Sequence, residues 1–267
     1  MYLENKRTNS IGLTLFLTFL ILAPQLWAEL DDEENTPGAR IAIIIDDMGY
    51  RRVEGNAALA LPGALTYSIL PFTHSARYFA QQADRHGREV LLHLPMESLA
   101  GDKLGPGGLT TDMTRQELVE LVSESLKAVP HIKGVNNHMG SLFTTNYDAM
   151  SAVMSTIERQ GPQLFFVDSV TTSYSIVPRA ARRHGIAVLS RNVFLDNVLT
   201  KSAIRIQFQR LTAIARKYGK AIAIGHPHPE TIGVLREELS SLSTHGVVLV
   251  PVSELFGTTP SSQRQTD

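Results

Sequence analysis

Short apolar runs recur along the chain and alternate with amphipathic stretches. Ile41–Ile45 is an unbroken, largely β-branched run, which predicts a strand covered on both faces. Similar runs at Leu65–Ile69, Val90–Leu94, Ile132–Val135, Leu164–Val167, Ala187–Leu189, Ala221–Ile224 and Val247–Val250 predict seven more. Thr114-Arg115-Gln116-Glu117 has the form of a capping box, and Leu118, Leu121, Val122 and Leu126 follow on one helical face. Ile204, Phe208, Leu211 and Ala215 mark another helix over about Lys201 to Tyr218, with Gly219 as its stop. Eight strands alternating with helices predict an α/β fold with a parallel sheet inside a helical layer. At this length the expectation is an irregular (β/α) barrel of about seven to eight mostly parallel strands, with an open doubly wound sheet as the alternative.

The two ends of the chain read differently. Lys6 and Arg7 precede the apolar run Ile11 to Leu22, and Ala28 offers a small residue at a cleavage point. That order predicts a signal peptide over residues 1–28 and export to the periplasm or cell envelope, since about 20 apolar residues are needed to span a bilayer. If uncleaved, the same segment would be the only membrane contact. Residues 29–39 then read as an acidic linker, 40–257 as one folded domain and 258–267 as a flexible tail.

Chemistry gathers directly after the apolar runs. Asp46-Asp47 follows the first, and His93-Leu94-Pro95-Met96-Glu97 lies at the end of the third. Asn136-Asn137-His138 follows the fourth, Asp168-Ser169 the fifth, and Gly225-His226-Pro227-His228 the seventh. In a parallel α/β fold the carboxyl ends of all strands share one face, and ligands bind there. Two adjacent carboxylates at the end of a buried strand repel and lose hydration unless a cation or hydrogen bonds compensate. Four of the nine histidines (93, 138, 226 and 228) lie in these clusters. His74, His86, His131, His184 and His245 sit in helix or turn contexts and read as structural or exposed.

Composition narrows the choices. The 267 residues hold no cysteine, so a metal would need His and carboxylate ligands, the set that suits zinc. With 25 basic against 26 acidic residues, the chain lacks the basic stripe of a nucleic-acid binder. The Gly-rich stretch Gly101–Gly108 lacks both the P-loop ending and the dinucleotide spacing, so no nucleotide is expected. One carboxylate and two imidazoles around an ion, a second carboxylate as base and a histidine as acid would suit hydrolysis of an amide or ester.

Taken together, Ile45-Asp46-Asp47-Met48-Gly49, Leu92-His93-Leu94-Pro95-Met96-Glu97, Asn136-Asn137-His138-Met139-Gly140-Ser141, Phe166-Val167-Asp168-Ser169 and Gly225-His226-Pro227-His228-Pro229 resemble the divergent polysaccharide deacetylases. These are relatives of metal-dependent carbohydrate esterases that remove N-acetyl groups from polymers such as chitin and peptidoglycan. The resemblance implies a distorted barrel, a divalent metal, usually zinc, and a glycan substrate. It assigns Asp46 as general base, Asp47 as metal ligand and His226 as general acid. The family's histidine pair, two residues four apart, is reduced here to His93 with Glu97 in the second place. His93 and His138 are therefore the expected imidazole ligands. Glu97 is expected either as an extra ligand or as a group that orients one. The family's Arg-x-Pro-Tyr motif is absent, Asn136-Asn137-His138 occupies its region, and Asn137 is a candidate oxyanion donor. Asp168 and Asp196 are candidates to hold a catalytic side chain, with Asp196 alternatively a turn cap, and His228 is a candidate substrate or outer-shell residue. Two alternatives remain: a non-catalytic envelope protein that binds glycan or a protein, and a glycoside hydrolase using Asp46 and Asp168.

Overall fold

A computed structural model describes residues 38–160 and 163–257. The expected leader, most of the linker and the expected tail lie outside the described residues. The strands are β1 (Ala39–Met48), β2 (Thr66–Ile69), β3 (Glu89–Met96), β4 (Ile132–Met139), β5 (Phe165–Asp168), β6 (Val188–Ser190), β7 (Val193–Phe194), β8 (Lys220–Gly225) and β9 (Val247–Leu249). Between them run α1 (Arg52–Leu59), α2 (Ala76–Arg85), α3 (Arg115–Ala128), α4 (Tyr147–Gln160), α5 (Val177–Arg183), α6 (Lys201–Tyr218) and α7 (Pro229–Ser240). Every strand pairing is parallel, in the order β6-β5-β4-β3-β2-β1-β8-β7. β9 pairs with β1 at Ala39–Ile41 while β2 pairs at Ile44–Met48, so β9 and β2 divide one edge of β1 between them.

The sheet's two end strands, β6 and β7, are joined by only Arg191 and Asn192. Three Cα steps span at most about 11 Å, so the sheet is forced to curl. The link also stitches the seam: Arg191 N donates to Asp168 O at 3.0 Å and Asn192 N to Ile222 O at 2.9 Å. This is the expected irregular barrel, and the open doubly wound alternative is set aside. β7 was absent from the sequence expectation because a two-residue strand carries no periodicity.

The period-two alternation of each strand sorts its side chains. Ile41, Ile43 and Ile45 of β1 face the helical layer, together with Val90, Leu92 and Leu94 of β3. Ala42, Ile44, Leu91, Phe165, Val167, Ile222 and Ile224 face inward and fill the lower barrel. Val250, Val252 and Leu255 complete that inner cluster. One layer higher, the inward positions turn polar: Asp46, Ser68, His93 and Asn136, all buried. The candidate site residues are thus the next step of the same alternation, and β1, β3 and β4 run on past their apolar runs to carry them.

Two helices follow the sequence closely. Thr114 and Glu117 exchange the capping-box bonds at the start of α3, and Gly219 ends α6 with φ +82°. Gly134 on β4 has no room for a side chain: a Cβ there would lie 2.6 Å from the Phe165 ring and 2.8 Å from its carbonyl oxygen. Because the obstacle includes paired backbone, Gly134→Ala is expected to destabilise the fold by about 1–3 kcal/mol, as overpacking does. Thermal unfolding checks this, and an unchanged Tm would contradict it.

Candidate active site

Asp46 and Asp47 are neighbours on one strand and would ordinarily point to opposite faces. The pairing of β1 with β2 shifts register between Ile45 and Met48, and Asp47 adopts φ +57°. Aspartate tolerates this left-handed conformation better than most side chains. The irregularity brings both carboxylates to one imidazole, with His93 Nε2 3.6 Å from Asp46 Oδ2 and 3.2 Å from Asp47 Oδ1. Met139 (φ +54°), the last residue of β4, and Val170 (φ +50°), just past β5, add left-handed backbone. Strain of this kind concentrates at functional sites.

His138, from the end of β4, completes a triangle. Its Nδ1 lies 2.9 Å from Asp47 Oδ1 and 3.1 Å from His93 Nε2. Three ligand atoms at 2.0–2.2 Å from a tetrahedral ion sit about 3.3 Å apart, close to the three observed edges. Asp47 Oδ1 is buried and receives no hydrogen bond of its own. A buried carboxylate oxygen facing two imidazole nitrogens lacks only a cation, so the donor set fits a divalent metal. Burial pushes the Asp47 carboxyl up, but His138 and His93 outweigh it and hold it well below the ordinary range.

Asp46 belongs to a deeper network. Its two oxygens accept from Asn136 Nδ2 at 2.9 and 3.1 Å. Burial raises its pKa, against the opposing pull of His93, His226 and Asn136. A carboxyl shifted upward is better matched to act as a base near neutral pH. On the other side of the site, His226 Nε2 lies 3.8 Å from Asp47 Oδ2. Its Nδ1 meets Asp196 Oδ1 at 3.0 Å, while its backbone N donates to Asp196 Oδ2 at 2.6 Å. Thr231 Oγ1 donates to the same Oδ2 at 2.8 Å. Burial alone would lower the His226 pKa; Asp196 and the charge of Asp47 instead lift it to about 9. His226 therefore carries a proton at neutral pH, as a general acid requires.

Asp196 thus bonds both the ring and the backbone of His226. Burial pushes its carboxyl up, but its bonds with His226 and Thr231 bring it below the ordinary value of 3.8. A depressed carboxylate contributes stability that is present above the unfolded pKa and lost as pH falls through the folded one. Asp196→Asn is therefore expected to remove part of the acid-side dependence of unfolding free energy. Denaturant titrations of both proteins at several pH values from neutral down into the carboxylate range check this. Identical pH slopes would contradict it.

Other expectations are corrected. Glu97 is neither an extra ligand nor bonded to one: its Oε2 accepts from Thr111 N at 2.8 Å and Oγ1 at 2.7 Å, bracing the 98–113 segment. Backbone bonds between Glu97 and Leu109, and between Leu109 and Pro95, zip that segment onto β3, so it is less a loose loop than a strap. Asn137 is not placed as an oxyanion donor. Its Nδ2 donates to Met139 O at 2.7 Å and its Oδ1 accepts from Ser169 N at 2.9 Å, tying the ends of β4 and β5. Asp168 holds no catalytic side chain: its oxygens accept from Val170 N at 2.9 Å and Ser175 Oγ at 2.8 Å, folding the turn after β5. With Asp168 so engaged, the two-carboxylate glycosidase reading loses its second member. His228 lies beside His226, ring centroids 5.9 Å apart, in the wall of the site. Asp196, His226 and His228 form a second group of metal-capable side chains, but there Asp196 already accepts three hydrogen bonds, two of them from His226 itself.

Sequence reasoning missed Ser68 and gave Asn136 no individual role. The signal for Ser68 was a second small polar residue, with Thr66, inside the short run Leu65–Ile69. Above the triangle opens a cavity of about 420 Å³ lined by Asp47, Tyr50, Arg51, Lys103, His138 and His226, among others. Tyr50 therefore faces the groove, whereas Met48 and Met96 pack into the outer core.

Comparison with known proteins agrees with this architecture. An uncharacterized protein of Escherichia coli K12, YibQ, is 41% identical over 217 residues, 81% of this chain and 67% of its own. The crystal structure of the uncharacterized protein ATU2773 from Agrobacterium tumefaciens superimposes with TM-score 0.78 at 26% identity, covering 82% of this chain and 89% of that one. BA3943 of Bacillus anthracis, described as a CE4 family pseudoenzyme, shares the fold at TM-score 0.52 and 12% identity, over 82% and 66% of the two chains. A sequence profile, that of the divergent polysaccharide deacetylases, matches residues 43–256, from the first strand through the segment that plugs the barrel. On that match, which spans most of the chain, the chain belongs to the divergent polysaccharide deacetylase family.

Proposed function

We propose that this protein is an exported, metal-dependent hydrolase that removes acyl groups, N-acetyl first among them, from a cell-envelope polysaccharide. The observation that carries the reading is the triangle of Asp47 Oδ1, His93 Nε2 and His138 Nδ1, with edges of 2.9 to 3.2 Å, flanked by a buried carboxylate and a carboxylate-held histidine. Asp47, His93 and His138 would hold the ion, zinc by the chemistry of the donor set. A divalent ion there supplies Lewis acidity toward a carbonyl and lowers the pKa of water.

The remaining work falls to this chain's own groups. Asp46, buried and held by Asn136, accepts the proton of the attacking water. His226, protonated and oriented by Asp196, delivers a proton to the leaving nitrogen. The base lies on β1 and the acid just beyond β8, the neighbouring strand. The groove at Tyr50, Arg51 and Lys103 receives the sugar chain. Export rests on the leader pattern of residues 1–28 and is checked by locating the protein in cell fractions and sequencing its N-terminus.

The test is acetate release from N-acetylated chito-oligosaccharides and peptidoglycan fragments, with and without prior chelation. Release that chelator abolishes and zinc restores is the expected result. A zinc-loaded protein that binds these glycans and releases no acetate would contradict it and leave the glycan-binding alternative.

A further inference from the structure

Four buried polar side chains form a closed network in the upper barrel. Asn136 is 0% exposed, Ser68 0%, His93 1% and Asp46 2%. Asn136 is the hub. Its Nδ2 donates to both oxygens of Asp46, and lies 3.5 Å from Ser169 Oγ. Its Oδ1 faces the Ser68 hydroxyl, and His93 Nδ1 at 2.8 Å.

With Asp46 ionised, as a base must be, and His93 neutral, as a metal ligand must be, the donors and acceptors of this network fix how the Asn136 amide is oriented. Ionised, Asp46 is an acceptor only, so the nitrogen of the Asn136 amide must face it. The amide oxygen is then the atom that faces Ser68 and His93. An oxygen that can only accept requires His93 Nδ1 to carry the hydrogen. Neutral imidazole has one N–H, so His93 Nε2 is left with its lone pair, and Nε2 is the atom aimed at Asp47 and His138. No other amide orientation satisfies all three partners.

Resting on the proposed metal-dependent reading, we infer that Asn136 is a positioning residue that couples the metal site to the base. Through one amide it presents the His93 lone pair to the ion and holds the Asp46 carboxylate in place. A single side chain thereby ties the ligand on β3 to the base on β1. Outer partners of this kind orient a ligating histidine by bonding its other nitrogen. An aspartate at 136 would keep an acceptor for Ser68 and His93 but set a second carboxyl about 3 Å from Asp46, so the two would share one proton and Asp46 would lose its power as a base. A leucine would lose both acceptor and donor and strip the Ser68 hydroxyl, His93 Nδ1 and the Asp46 carboxylate of their Asn136 partner in the interior.

The experiment compares wild type, Asn136→Asp and Asn136→Leu as purified full-length proteins. It measures zinc affinity by chelator competition, the visible spectrum of the cobalt-substituted protein, and kcat and KM on an N-acetylated chito-oligosaccharide. Asn136→Asp is expected to keep wild-type zinc affinity and cobalt spectrum while kcat falls by about 10²-fold, the lower end of what a positioned base contributes. Asn136→Leu is expected to lose zinc affinity by about 10–100-fold and to alter the cobalt spectrum. If Asn136→Leu does not fold, the aspartate variant decides. Equal loss of zinc affinity and kcat in Asn136→Asp, or no loss of kcat, would overturn the inference. A wild type that takes up no zinc would overturn the proposed function and this inference together. Variants indistinguishable from a zinc-binding wild type would overturn the inference alone.

Discussion

Asp46→Asn is expected to lower kcat by about 10²–10⁴-fold while leaving metal content unchanged. That range corresponds to about 3–5.5 kcal/mol of lost transition-state stabilisation. The substitution keeps the side chain's size in a site only 2% exposed, so packing is preserved. It removes the charge and the ability to accept a proton from water. Asp46 Oδ2 lies 3.6 Å from His93 Nε2, longer than the 2.9 to 3.2 Å edges of the triangle, which places Asp46 beside the proposed ligands and not within the triangle itself. Steady-state kinetics with metal analysis on the same sample checks this. Loss of the metal together with activity would show that Asp46 is a ligand; wild-type kcat would show that it is no base.

Asp47→Asn is expected to do the opposite: lose the ion first and activity as a consequence. Asparagine also tolerates the left-handed backbone at φ +57°, so the turn survives. What is lost is the negative charge that lies 2.9 Å from His138 Nδ1 and 3.2 Å from His93 Nε2. The fall in zinc affinity should exceed the 10–100-fold typical of losing an outer partner. Because Asp47 also stands 3.8 Å from His226, the variant weakens the field that keeps that histidine protonated. Competition with a chelator of known strength measures the first effect. A variant that binds zinc as tightly as wild type would remove Asp47 from the ligand set.

The placement of Asp46, Asp47, His93, His138 and His226 was legible in the sequence for a physical reason. Parallel strands put all their carboxyl ends on one face, so polar residues directly after apolar runs converge without any knowledge of distance. The capping box at Thr114 and the glycine after Tyr218 were equally legible, because both are local signals. What the sequence concealed depends on directions of side chains. Glu97 sits four residues after His93, a spacing that suggests a shared ion, but the strap from 98 to 113 folds back and captures its carboxylate at Thr111. Asn137 and Asn136 are adjacent and chemically identical. Only the strand's alternation decides that Asn136 points into the barrel at Asp46 while Asn137 braces the neighbouring turn. The bulge that lets both aspartates serve one site is also silent in the sequence, since nothing in Ile45-Asp46-Asp47-Met48 announces a register shift.

The most direct measurement is X-ray absorption and anomalous diffraction at the zinc edge on protein purified without chelator. One ion per chain is expected, bound at about 2.0–2.2 Å by Asp47 Oδ1, His93 Nε2 and His138 Nδ1. An ion seated instead on Asp196, His226 and His228, or no ion in protein that still releases acetate, would contradict it.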